Sequence, residues 1–169
     1  HLNEMDPRPD LVIATGDLAD DPSPELYPVM RQMLDQIEMP VYVIPGNHDD
    51  REMLRAAFLD LGYLPADDPF LQYTIEEYPL RMIGLDTLET DGDDGEMCAS
   101  RLRWLDDRLS EQPDRPTLIF MHYQPLMTRM GYVNKNAFHG ASEMEELIRG
   151  HSQVDWIICG HLHRPIQMR

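Results

Sequence analysis

Four short apolar segments, each running into side chains that bind metals, constrain this 169-residue chain more than any other feature. Leu11-Val12-Ile13-Ala14-Thr15 leads into Gly16-Asp17, and Val41-Tyr42-Val43-Ile44 leads into Pro45-Gly46-Asn47-His48-Asp49. Thr117-Leu118-Ile119-Phe120-Met121 leads into His122, and Trp156-Ile157-Ile158-Cys159 into Gly160-His161-Leu162-His163. Such runs, β-branched and stopped by turn residues, read as buried strands. Four strands ending in ligand-type residues predict a metal site at one edge of a sheet, where open α/β sheets place their sites.

Between these strands the sequence alternates. Ser23-Pro24-Glu25 opens a helix with Leu26, Met30, Met33, Leu34 and Ile37 at helical spacing, and Pro28 suggests that its regular part begins there. Residues 51–61 give a second helix, 73–77 and 80–86 a strand pair, and Leu102, Leu105 and Leu109 one face of a third. Ser142 and Glu145 form a capping box for a fourth helix running to about Arg149. Strand–helix alternation of this kind predicts an α/β fold with a mostly parallel sheet, in a single domain spanning 1–169. The acidic stretch Asp91–Glu96 lacks the spacing of a calcium loop and reads as a solvated turn.

The charge balance is 14 basic against 31 acidic residues, a formal net charge of −17. That excludes nucleic acid and anionic membranes as partners, since both are bound through clustered Lys and Arg. No apolar stretch approaches the about 20 residues of a membrane-spanning helix. Cys98 and Cys159 are far apart and show no metal-type spacing, and Cys159 reads as a small hydrophobe. A cytoplasmic protein is expected, with homo-oligomerisation left open.

The ligand-type residues share a chemistry. Asp17 supplies an anionic oxygen able to bridge two cations, Asn47 an amide oxygen, and His122, His161 and His163 neutral imidazole nitrogens. Without thiolates, the set suits two divalent ions of Mn, Fe, Co or Zn. In an extended segment residues i and i+2 lie on one side roughly 7 Å apart. His161 and His163 can therefore serve two metals about 3.5–4 Å apart, one imidazole each. Such a pair draws in a phosphate oxyanion and lowers the pKa of bound water, giving a hydroxide nucleophile. His48, not needed as a ligand, is the candidate catalytic residue that protonates the leaving oxygen, and Asp20 is the candidate to orient its imidazole. His1, His139 and His151 are read as structural or solvated.

These blocks resemble the calcineurin-like metallophosphoesterase superfamily, which carries Asp-x-His, Gly-Asp, Gly-Asn-His-Asp/Glu, a lone His and Gly-His-x-His in that order. Pro45–Asp50, Phe120–Pro125 and Cys159–His163 look most like bacterial class III cyclic nucleotide phosphodiesterases and the related glycerophosphodiesterases. The resemblance implies a four-layer α-β-β-α sandwich around a dinuclear centre. It implies Asp17 as the bridging ligand, Asn47, His122 and His161 on one metal, His163 on the other, and His48 as the catalytic histidine. The family's Asp-x-His block has no counterpart in residues 1–10, and the sequence ends six residues after His163. A domain truncated at both ends, lacking its first strand, is the expectation.

The function expected is metal-dependent hydrolysis of small phosphodiesters, such as 3',5'-cyclic AMP or glycerophosphodiesters, by a metal-bound hydroxide. The alternatives are a phosphomonoesterase or pyrophosphohydrolase on the same centre, or a non-catalytic interaction module that has lost a metal.

Overall fold

The computed structural model describes residues 1–92, 94–125, 138–165 and 167. Each apolar run predicted as a strand forms one: β1 Val12–Ala14, β2 Val41–Val43, β6 Thr117–Met121 and β8 Val154–Cys159. The predicted strand pair is β3 Tyr73–Ile75 and β4 Arg81–Leu85. Two further short strands, β5 Gly95–Glu96 and β7 Phe138–His139, pair in parallel; two-residue segments carry no period to read. The helices are α1 Leu26–Leu34, α2 Arg51–Phe58, α3 Ala99–Glu111 and α4 Ala141–Arg149.

The strands form two main sheets. β1 and β2 run parallel, with Ala14 opposite Val43. The larger sheet has the order β3-β4-β6-β8, with β4, β6 and β8 parallel and β3 antiparallel at one edge. Side chains on successive residues of a strand point to opposite faces, and that alternation builds the layers. Met82, Leu118 and Phe120 face one core together with Val43 and Ile44 at β2, Tyr27 of α1, and Leu54 and Phe58 of α2. Ile83, Leu85, Ile119 and Met121 face a second core against Leu105 and Leu109 of α3 and Met144 of α4. The order is helix, sheet, sheet, helix, as the resemblance implies.

Details of three expectations change. α1 begins at Leu26 rather than at Pro28, which falls in the first turn, where no intrahelical donor is required. Its inner face is Tyr27, Met30 and Leu34, while Leu26 and Met33 are exposed. α4 begins one residue before the predicted cap: Gly140, at φ +80°, is its N-cap and Ser142 already lies within the helix, so no capping box forms. The four ligand-bearing strands are not uniformly buried either. β6 is buried throughout, β1 is half-buried, and Trp156 on β8 is 58% exposed. Among the described residues β8 pairs with β6 alone and β1 with β2 alone, so one edge of each lies open.

A buried ion pair fixes the start of α2 to the larger sheet. Asp86, fully buried just past β4, accepts from Arg51 Nε at 2.7 Å and Nη2 at 3.0 Å and from the Leu71 and Leu88 amides. Bidentate pairing with further donors offsets the desolvation of a buried carboxylate. Arg51 immediately follows the Asn47–Asp50 turn, so this contact sets where that turn lies.

Both cysteines are free. Burial pushes the Cys159 thiol up to about 12. Burial opposes ionisation of Cys98 too, but hydrogen bonds from Ser100 and Arg101 outweigh it and bring that thiol down to about 7. Thiolate is the reactive form. A disulfide reagent at pH 8 is therefore expected to label Cys98 rapidly and Cys159 only on unfolding; two equally fast equivalents would contradict this.

Candidate metal centre

The C-terminal ends of β1, β2, β6 and β8 meet at one point, and glycine is what allows it. A Cβ at Gly16 would stand 2.6 Å from both Gly46 N and His122 Nδ1. At Gly46 it would collide with Asp17 N and Oδ1. Gly16 also sits at φ +90°, a conformation L side chains rarely adopt. Beyond the glycines the backbone stays unusual: Asp17, His161 and His163 have φ of +54°, +59° and +50°. These are the described non-glycine residues at positive φ, and all three are predicted ligands. Left-handed backbone at non-glycine residues costs about 1–2 kcal/mol each and persists where its surroundings impose it, commonly at functional sites.

Four ligand atoms converge from these ends. Asn47 Oδ1 lies 2.9 Å from His161 Nδ1 and 3.1 Å from His122 Nε2. The two imidazole nitrogens are 3.2 Å apart, and Asp17 Oδ2 is 3.4 Å from His122 Nε2. His122 Nδ1–H donates to the Thr15 carbonyl at 2.7 Å, which leaves Nε2 as a bare lone pair. Three acceptors, Nε2 and two oxygens, therefore face one another, and one proton on His161 Nδ1 can serve only one of these contacts. Ligand atoms about 2.1 Å from a common cation stand about 3.0–3.4 Å apart, and the spacing found here matches. The donor set fits a divalent transition metal ion. His163 lies outside this cluster and is exposed.

Electrostatics keep the imidazoles neutral. Burial holds His122 below the usual histidine range, against the opposing pull of Asp17. Burial and then the neighbouring His122 do the same to His161. Neutral imidazole is the form that ligates a metal.

His48 stands beside the cluster on the Asn47–Asp50 turn. Its backbone N–H donates to Asp17 Oδ1 at 3.1 Å, and its Nδ1–H donates to the Asp20 carbonyl oxygen at 3.1 Å. Asp20, the sequence's candidate to orient this imidazole, contacts it through its main-chain carbonyl, and its side chain is exposed. With Nδ1 engaged, Nε2 is the nitrogen left for chemistry. A cavity of about 320 Å³, lined by Asp20, Asp21, Pro22, Asn47, His48, Asp49 and Asp50, opens beside it.

Asp49 stands in the sequence motif without a role of its own. Its buried carboxylate accepts from the Leu18 amide at 3.1 Å, Ala19 at 3.2 Å, Gly46 at 2.9 Å and the Tyr27 hydroxyl at 3.1 Å. It thereby ties the Gly16-Asp17 turn to the Asn47 turn. Its place at the end of a Gly-Asn-His-Asp turn is the signal that marks it; Tyr27 and Thr15 carry none beyond their place in an apolar face or strand end. Of the residues read as structural, His151 bonds Asp106 at 2.8 Å, and His139, exposed on β7, lies 3.5 Å from Asp94.

Residues 1–165 match the family described as calcineurin-like phosphoesterase (Metallophos), and the chain belongs to that family. A probable glycerophosphodiester phosphodiesterase GpdQ from Arcobacter nitrofigilis is 34% identical over 165 residues, covering 97% of this chain and 60% of the relative. The 3',5'-cyclic adenosine monophosphate phosphodiesterase CpdA of Escherichia coli K12 is 29% identical, covering 94% of this chain and 56% of the relative. A 3',5'-cyclic-nucleotide phosphodiesterase of Nostoc, alr5338, is 31% identical with 98% and 60% covered. The chain thus spans about 60% of the length of these curated relatives. In fold it resembles TT1561 of Thermus thermophilus, with a TM-score of 0.56 at 15% identity, over 86% of this chain and 67% of that one. No helix among the described residues is long and apolar enough to cross a membrane.

Two outcomes test the site's geometry. Gly46→Ala is expected to destabilise the fold by more than about 2 kcal/mol, because the added methyl meets Asp17 backbone, and to abolish metal binding; calorimetric zinc titration of the variant checks this. The second concerns pH. His122 and His161 are held below their unfolded value of about 6.5, so the unfolded chain takes up protons first as pH falls. The metal-free protein should lose stability as pH drops through about 6.5. Its loss of Tm between pH 7.5 and 5.5 should exceed that of His122→Gln; equal slopes would contradict the assignment.

Proposed function

We propose that this chain carries the metal centre of a hydrolase acting on small phosphodiesters, with cyclic nucleotides such as 3',5'-cyclic AMP and glycerophosphodiesters as the substrate class. The observation that supports it best is the convergence of Asp17 Oδ2, Asn47 Oδ1, His122 Nε2 and His161 Nδ1 with no proton able to satisfy them all. We take these four as the residues that would hold a divalent ion, and we assign His163, exposed and outside the cluster, to a second one. The names of the relatives support the substrate class.

Bound divalent ions would supply positive charge that draws in the phosphate and lowers the pKa of coordinated water. The protein's own residues do the rest. The cavity beside His48 is lined by the carboxylates of Asp20, Asp21 and Asp50, which on their own repel a phosphodiester. Substrate entry would therefore depend on cations held by the cluster that Asn47, which lines the cavity, forms with Asp17, His122 and His161. His48, its Nδ1–H held by the Asp20 carbonyl, presents Nε2 to the leaving oxygen and delivers the proton it needs. Because that hold is a backbone contact, the Asp20 side chain is dispensable for it.

Three measurements on the full-length protein check the proposal. Turnover of cyclic AMP, glycerophosphocholine and bis-p-nitrophenyl phosphate should exceed that of p-nitrophenyl phosphate, and chelation should abolish it until Mn²⁺ or Zn²⁺ is returned. His48→Ala should lower kcat by about 10²-fold or more with unchanged metal content, whereas Asp20→Ala should stay within about threefold, as no transition-state contact is lost. A preference for the monoester, or a protein that binds no metal, would overturn the reading.

A further inference from the structure

Tyr27 contacts the Asn47–Asp50 turn from within the core. It lies in α1, 2% exposed, in the core that α1 shares with β2 and α2. Its hydroxyl donates to Asp49 Oδ1 at 3.1 Å and accepts from the Asp50 amide at 2.8 Å. The two partners bound the back of the turn that carries Asn47 and His48. Asp49 holds the Leu18 and Ala19 amides through the same carboxylate. Asp50 caps α2 by accepting from the Met53 amide at 2.8 Å. The front of the turn is held through His48, by its N–H to Asp17 and its Nδ1–H to the Asp20 carbonyl. One phenolic oxygen thus joins the Asp17–Asp20 segment, the Asn47–Asp50 turn and the start of α2.

We propose that Tyr27 is a positioning residue for the reaction: its hydroxyl fixes the Asn47–Asp50 turn, and so sets where the His48 imidazole and the Asn47 oxygen stand relative to Asp17. A phenylalanine fills the same core volume but removes both hydrogen bonds at once. The Asp50 amide then lacks an acceptor and Asp49 loses one of four donors. Buried polar groups do not stay unsatisfied, so the turn moves to recover partners. His48, at the middle of that turn, moves with it, and a displacement of about 1 Å at a catalytic group costs about 10²-fold in rate.

The proposal rests on the metal-centre reading for its rate effect and on geometry alone for its exchange effect, so the two can fail separately. The test compares the full-length protein with Tyr27→Phe. In the metal-free state, the Leu18, Ala19 and Asp50 amides should exchange about tenfold faster in Y27F, matching one lost hydrogen bond, with α3 amides unchanged. In the zinc-loaded state, kcat should fall about 10- to 100-fold with KM within about threefold and zinc content unchanged. Uniformly faster exchange that includes α3, or an unchanged kcat per bound zinc, would make Tyr27 merely structural. If Y27F does not fold, 3-fluorotyrosine at position 27, which keeps the hydroxyl, serves instead: its fluorine resonance should move when zinc binds, and a static resonance overturns the proposal. A wild-type protein that binds no zinc would count against the metal centre and leave the exchange result to decide on Tyr27.

Discussion

The Asp17 and Asn47 side of the candidate metal centre depends on one buried carboxylate. Asp49 is 6% exposed, and an ionised carboxylate in that position costs several kcal/mol unless donors surround it. Burial pushes its carboxyl up, and four hydrogen bonds, from Gly46, Leu18, Tyr27 and Ala19, work against that. These donors come from three pieces of the site: the β1 turn, the β2 turn and α1. A single side chain thereby converts three separate chain segments into one rigid rim, on which Asp17, Asn47 and His48 are mounted.

The sheets supply the other half of the constraint. Parallel strands bring their C-terminal ends to the same side, so β1, β2, β6 and β8 deliver their turns together. Bringing four such ends within ligand distance leaves no room for side chains between them, which is why glycine precedes Asp17 and Asn47. Asp17, His161 and His163, just past these strand ends, have left-handed backbone. The fold holds that strain in place because the surrounding core, with Val43, Ile44 and Phe120 fully buried, cannot relax around it.

Charge ties the site to the character of the whole chain. A net −17 and an acidic cavity wall would keep phosphates away, and the ligand set is correspondingly poor in carboxylates: one aspartate, one amide and imidazoles held neutral by burial. Ions held by such ligands would keep their positive charge beside that acidic wall.

The sequence alone determined the strands and the parallel α/β plan, because short apolar runs are local patterns, and it named Asp17, Asn47, His48, His122 and His161, which the structure brings together. It placed His163 with them by period-two spacing, but His163 has positive φ and an exposed side chain apart from the cluster, so an extended segment was the wrong geometry there. It named Asp20 as the residue to orient the His48 imidazole, and only the structure shows that the Asp20 carbonyl makes the contact. The contacts of Thr15, Tyr27 and Asp49, the glycine approach and the burial that holds the imidazoles neutral came only from the tertiary structure. Each depends on contacts between segments distant in the chain, such as Tyr27 with Asp50 and Thr15 with His122. Such contacts leave no periodic trace along the chain, because packing, not spacing, brings the partners together.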